Sequence, residues 1–225
     1  MRFKITLNAN GRNSTIPINY QYPLSAALYK IIAKGDQDYA YFLHDTGYGR
    51  GFKLFTFSDI SCPFVIKGDR LCLKKDELTL HVCFHIPQAM ENFIKGLFAS
   101  ENIAIADKKS KASFQVVSVE TLPNPLGTRT DNEIISMEVR PLSPIVSAIP
   151  NERGYDDFLS PDDPRFTERL IFNWRSKIED CYDKATANDA LLMMEMISAE
   201  RQELKYYPGT DLRSEACTLI APYRN

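Results

Sequence analysis

No apolar run in the 225 residues approaches the length that spans a bilayer. The opening, Met1-Arg2-Phe3-Lys4-Ile5-Thr6-Leu7-Asn8, alternates polar and apolar residues instead of holding the continuous apolar centre of a secretory signal. A strand over residues 2–8 is therefore expected, together with a cytoplasmic location and no membrane partner. The five cysteines, Cys62, Cys72, Cys83, Cys181 and Cys217, are odd in number, scattered and free of any C-x-x-C pair. That favours a reducing cytosol, with buried thiols as the default role. G-x-S-x-G, H-E-x-x-H, Walker and dinucleotide-binding signatures are all missing, so no familiar hydrolase or nucleotide cofactor site is implied. Histidine is scarce as well, with only His44, His81 and His85 in the chain.

What is present has globular proportions: 44% hydrophobic and 25% charged residues, enough to bury a core. A net charge of -2 does not by itself suggest an anionic partner. Its distribution says more. Residues 1–75 carry 11 Lys and Arg against 5 Asp, a balance of +6, and the remaining residues carry 16 against 24, a balance of -8. The basic part is also the part that contains His44.

Along the chain, Pro23 marks the first turn of a helix whose apolar stripe is Leu24, Ala27, Leu28 and Ile31, with Gly35 at its end. Asp36 caps a second short helix that runs to about Asp45 and stops at Gly47. Strand patterns follow at 53–57, 63–66 and 71–73, with a Gly68-Asp69 turn joining the last two. The clearest alternation is at 78–86, and Pro87 then opens a helix to about residue 99, faced by Met90, Phe93, Ile94 and Leu97. Residues 112–122 read as a further strand. The order β-α-β-β-α-β describes a ferredoxin-like sandwich with its helices on one face of one sheet. A turn-rich linker near 121–128 separates residues 1–124 from a second unit, 125–225. There, strands are expected at 133–139, 145–149, 200–207 and 215–220, and helices at 163–183 and 187–197. The α+β reading is thus two tandem ferredoxin-like units, the second incomplete at its C-terminus.

The chemistry concentrates in one short span. Tyr29 lies off the centre of its helix's apolar stripe. His44 falls in the last turn of its helix, where the dipole favours imidazolium. Lys53 follows the glycine-spaced loop Gly47-Tyr48-Gly49-Arg50-Gly51. A phenol, an imidazole and an ammonium together can cleave a phosphodiester by proton transfer and charge stabilisation, without a metal. Taken singly, each has a plainer role: a surface tyrosine, a helix cap, a strand-edge lysine. The loop glycines could expose N–H groups to a phosphate, but a turn is the simpler reading. His81, Cys83 and His85 share one strand face, yet ligands along a flat strand fan out and cannot close a tetrahedron. No metal site is expected from them.

Several segments, in order, resemble the CRISPR-associated endoribonucleases that process precursor CRISPR RNA. They are Met1-Arg2-Phe3-Lys4-Ile5, Tyr20-Gln21-Tyr22-Pro23-Leu24, Leu28-Tyr29-Lys30-Ile31-Ile32, Phe42-Leu43-His44, Lys53-Leu54-Phe55-Thr56-Phe57-Ser58 and Leu142-Ser143-Pro144-Ile145. The resemblance implies tandem ferredoxin-like units that bind CRISPR repeat RNA. It implies metal-independent cutting in which the RNA's own 2′-OH attacks the adjacent phosphate, leaving a 2′,3′-cyclic phosphate or 3′-phosphate and a 5′-OH. It places catalysis on His44, Tyr29 and Lys53, with Arg50, Lys30 and Lys34 as RNA-binding cations, no cofactor, and a homodimer or a CRISPR interference complex as assembly partners. The glycine-rich segment with which such proteins usually end has no counterpart in these 225 residues. A catalytically silent RNA-binding or scaffold protein of the same fold is the alternative.

Overall fold

The computed structural model describes residues 1–12, 14–100, 102–127, 133–190 and 192–193, and the chain divides into two compact units, Met1–Thr130 and Asp131–Asn225. In the first unit β1 (Arg2–Ala9) and β2 (Thr15–Pro17) lead into α1 (Gln21–Gly35). A short helix, α2 (Gln37–Tyr41), runs on into a π turn, Phe42–Thr46. Then come β3 (Phe55–Phe57), the hairpin β4 (Phe64–Lys67) and β5 (Arg70–Leu73), β6 (Glu77–Phe84), α3 (Pro87–Phe98), β7 (Ile103–Ala106) and β8 (Lys111–Leu122).

Five strands form one antiparallel sheet in the order β3-β6-β1-β8-β7. Without the edge strand β7, the order of the other four is that of a β-α-β-β-α-β ferredoxin-like unit, with α1 and α3 as its two helices. Alternation fixes the register. Phe3, Ile5 and Leu7 of β1 and Leu78, Leu80, Val82 and Phe84 of β6 are buried in one core with Leu24, Leu28, Ile31 and Ile32 of α1 and Phe93 and Leu97 of α3. The helices cross at glycines. A Cβ on Gly96 would lie 1.7 Å from the carbonyl oxygen of Ile31, and one on Gly35 would lie 2.1 Å from that of Asn92. Backbone meets backbone there, which only glycine permits.

The structure alters the expected layout in several places. The 63–66 and 71–73 strands pair as foreseen, with Gly68 at φ 60° in their turn, but they join β2 in a separate three-stranded sheet. The strand expected from Lys53 begins at Phe55, because Leu54 takes a left-handed φ of 51° that no strand accommodates. The first helix starts at Gln21, so Pro23 stands third in it, still within the turn whose N–H groups lack helical partners.

In the second unit β9 (Ala148–Pro150) and β10 (Asp156–Phe158) make a hairpin, followed by α4 (Pro164–Cys181) and α5 (Lys184–Asp189). Asp163 caps α4 through the Arg165 N–H at 3.0 Å, ahead of Pro164. Arg175 of α4 donates to carbonyls of Ala187, Asn188 and Ala190, tying α5 down. Residues 133–139 are not strand in the structure, since alternation alone does not make a strand without a ladder and none is formed there among the described residues. The strand expected at 145–149 is displaced to Ala148–Pro150, and the helix expected over 187–197 ends at Asp189 in its described part. The strands expected at 200–207 and 215–220, and the C-terminal incompleteness of this unit, lie outside the described residues.

Candidate active site

Asp36 accepts a hydrogen bond from the Tyr39 N–H at 2.9 Å and so caps α2. The helix then widens into the π turn, and Gly47, at φ 71°, ends it with its N–H on the Phe42 carbonyl at 2.7 Å. Local widening of this kind is frequent at functional sites. It anchors Leu43, which is fully buried, and leaves the next residue, His44, with a side chain 66% exposed.

Two side chains touch that imidazole, and a third reaches the backbone of the same residue. The Tyr29 ring stands edge-on to it, with centroids 5.1 Å apart and planes at 79°. Asp45 Oδ1 lies 2.6 Å from its Nδ1. Lys53 Nζ donates to the His44 carbonyl oxygen at 2.6 Å, which leaves two of the ammonium's three donors for other acceptors. With Nδ1 directed to a carboxylate, Nε2 is the nitrogen left to exchange a proton with a substrate. Burial pushes the Tyr29 phenol above its ordinary range, so it stays protonated at neutral pH and acts as a donor.

The phenol's position is set from the core. Phe93 of α3 packs on Phe84 of β6 at 5.0 Å, Phe84 stacks on Phe55 of β3 at 5.7 Å, and Phe55 meets Tyr29 edge-on at 5.5 Å. A chain of rings thus runs from a fully buried residue to the exposed imidazole. On the other side, Tyr39 shares a hydrogen bond of 3.0 Å with Tyr48, and Phe42 packs edge-on to Tyr48 at 5.2 Å.

The structure therefore brings Tyr29, His44 and Lys53 together, although 24 positions separate the first from the last in the sequence. Lys30 and Lys34 are exposed on α1 but turn about 100° and 140° around its axis from Tyr29. Arg50 is exposed in the glycine loop. That loop closes on itself: Tyr48 and Phe52 exchange backbone hydrogen bonds at 2.8 Å, and Gly51 donates to the Tyr48 carbonyl at 3.0 Å. Its N–H groups at 47, 48, 51 and 52 are committed internally and do not form an open phosphate nest.

Asp45 and Phe55 were not singled out from the sequence. The signal for Asp45 was its adjacency to His44. None existed for Phe55, whose contact with Tyr29 comes from tertiary packing. His81 and Cys83 stand half-buried on the outer sheet face opposite Lys4 and Arg2, and burial, with the charges of those two cations, pushes the His81 imidazole down. Among the described residues no group of three or more His, Cys, Asp or Glu side chains is placed to hold a metal ion. No described helix is long and apolar enough to cross a membrane.

The family described as CRISPR-associated protein Cas6, N-terminal, matches residues 15–119. The family described as CRISPR-associated protein Cas6, C-terminal, matches residues 125–222. A curated relative, a CRISPR-associated endoribonuclease Cas6 of Methanocaldococcus jannaschii, is 26% identical over 185 residues, which is 82% of this chain and 68% of that protein. A solved structure of a CRISPR-associated protein Cas6 is similar at a TM-score of 0.61 and 25% identity, covering 92% of this chain and 82% of its own. The structure of a Cas6-related protein from Pyrococcus furiosus is similar at a TM-score of 0.67 and 20% identity, over 91% and 79% of the two chains.

Proposed function

The chain belongs to the Cas6 family, built of two tandem ferredoxin-like units, and from that premise we propose that it cleaves precursor CRISPR RNA within its repeats by metal-independent transesterification. The observation that carries this reading is that Tyr29 meets the exposed His44 imidazole while Lys53 bonds to the carbonyl of the same residue.

In the reaction the RNA's 2′-oxygen bonds to the adjacent phosphorus while the bond from phosphorus to the 5′-oxygen breaks. The 2′-OH proton passes to His44 Nε2, and the 5′-oxygen takes a proton from the same imidazolium or from water. The products are a 2′,3′-cyclic phosphate, which water can open to a 3′-phosphate, and a 5′-OH. His44 exchanges the proton through Nε2, with Nδ1 held by Asp45. Tyr29, protonated at neutral pH, donates to the attacking oxygen and aligns it. The free donors of Lys53 stabilise the charge that builds on the phosphoryl oxygens.

The partner is CRISPR repeat RNA, gripped in part by Lys30, Lys34 and Arg50. The protein works in the cytoplasm, as a homodimer or in association with an interference complex. The test separates binding from cutting. His44→Ala is expected to lower the single-turnover cleavage rate of a repeat RNA from the source genome by roughly 10²- to 10⁴-fold, with RNA affinity within about twofold of wild type. Equal loss of affinity and rate contradicts the catalytic assignment.

A further inference from the structure

At the other end of the sheet lies a cavity of about 410 Å³ that the catalytic reading does not use. It opens where β1 has ended and β8 begins, and its lining includes Asn10, Arg12, Ser14, Ser110, Lys111 and Ser113. No carboxylate belongs to that lining. The side chains of Arg12 and Lys111 make no hydrogen bond or ion pair with any described residue, and the Ser113 hydroxyl is likewise uncommitted among them.

Two of the nearby carboxylates, Asp107 and Asp69, are already matched; Asp76 also stands close, its carbonyl accepting from the Ala9 N–H at 2.8 Å. Asp107 accepts from Arg70 at 2.7 Å and from the N–H groups of Lys109 and Ser110 at 2.9 and 2.8 Å. Against a burial that pushes its pKa up, these bonds and the Arg70 charge hold it down to about 2. Asp69 pairs with Arg70 at 3.3 Å and with Lys109 at 2.7 Å. Two cations answer two anions there, so neither Asp69 nor Asp107 is left to pair with Arg12 and Lys111, which line the cavity beside hydroxyl donors. Such a cavity suits a tetrahedral oxyanion carried on a larger molecule.

Its position says which molecule. Phe55, in contact with Tyr29, pairs with Phe84, and Phe84 bonds to the Met1 carbonyl at the start of β1. Asn10 follows the end of the same strand. The eight residues of β1 at ~3.3 Å each put the cavity roughly 26 Å from the catalytic cluster, a span of several nucleotides. We infer that Arg12 and Lys111 hold a backbone phosphate of the bound RNA several nucleotides from the scissile linkage, making this cavity a second grip on the strand. The inference rests on the endoribonuclease reading above and adds to it a site that fixes affinity without touching the reacting atoms.

The test uses two RNAs, each with a 2′-deoxy sugar at the cut for binding and unmodified for cleavage: the full repeat, and a short RNA holding only the nucleotides that flank the cut. Arg12→Glu/Lys111→Glu is expected to weaken full-repeat binding at least tenfold. Because one neutralised phosphate contributes about 0.7 to the slope of log Kd against log salt on a single strand, the milder Arg12→Gln/Lys111→Gln is expected to lower that slope by about this amount. Short-RNA affinity and the full repeat's cleavage rate at saturating protein stay at wild-type values, and the latter also shows that both variants are folded. Wild-type affinity for the full repeat in both variants overturns the second grip while the endoribonuclease reading stands. So does an equal loss on both RNAs, which assigns the effect to general electrostatics. Wild-type protein that neither binds nor cuts the repeat overturns both.

Discussion

At the scale of the residue, the account depends on protonation. Tyr29 is partly sequestered between His44 and Phe55, and burial raises its phenol above the ordinary value near 10. An acid whose folded pKa is raised stays protonated below its unfolded value, so in neutral solution Tyr29 offers a proton and does not remove one. Tyr29→Phe is therefore expected to slow cleavage by roughly 10- to 100-fold and to lower the rate evenly between pH 6 and 9, without moving the profile along the pH axis. A displaced neutral limb in the variant's pH–rate curve would mean that the phenol itself ionises there, against this account. The sequence reading arrived at residues that the fold brings together because helical periodicity put Tyr29 off the stripe and Gly47 marked a helix end. It did not reach Asp45 as the holder of Nδ1, since adjacency along the chain does not say which way a side chain turns.

At the scale of the element, long periodic segments were legible and short ones were not. Helices α1 and α3 and strands β6 and β8 repeat their pattern enough times for the period to stand out. Strands β2, β7 and β10 hold three or four residues each, too few for alternation to separate from chance. The separate sheet of β2, β5 and β4 was invisible because strand pairing is a non-local choice. Gly35 read correctly as a helix end, yet its second role was hidden: with Gly96 it lets two helix backbones touch. Gly96→Ala would force a Cβ to within 1.7 Å of the Ile31 carbonyl oxygen, a backbone contact that no rotamer change relieves. The expected cost is about 1–3 kcal/mol, seen as a lower midpoint in urea unfolding. An unchanged midpoint would show that α1 and α3 do not cross as closely as described.

At the scale of the whole molecule, the chain carries its positive charge in the segment that holds Tyr29, His44 and Lys53, a balance of +6 over residues 1–75, and this suits a polyanionic strand. The proposed function makes one chemical statement that can be tested directly: the RNA supplies its own nucleophile. The most direct test is the chemistry of the cut. A repeat RNA incubated with the protein in EDTA, its fragments read by mass spectrometry, is predicted to yield a 2′,3′-cyclic phosphate or 3′-phosphate and a 5′-OH, and the same RNA with a single 2′-deoxy sugar at the cut is predicted to stay whole. Fragments ending in 5′-phosphate and 3′-OH, or a deoxy-substituted RNA cut as fast as the natural one, would contradict it.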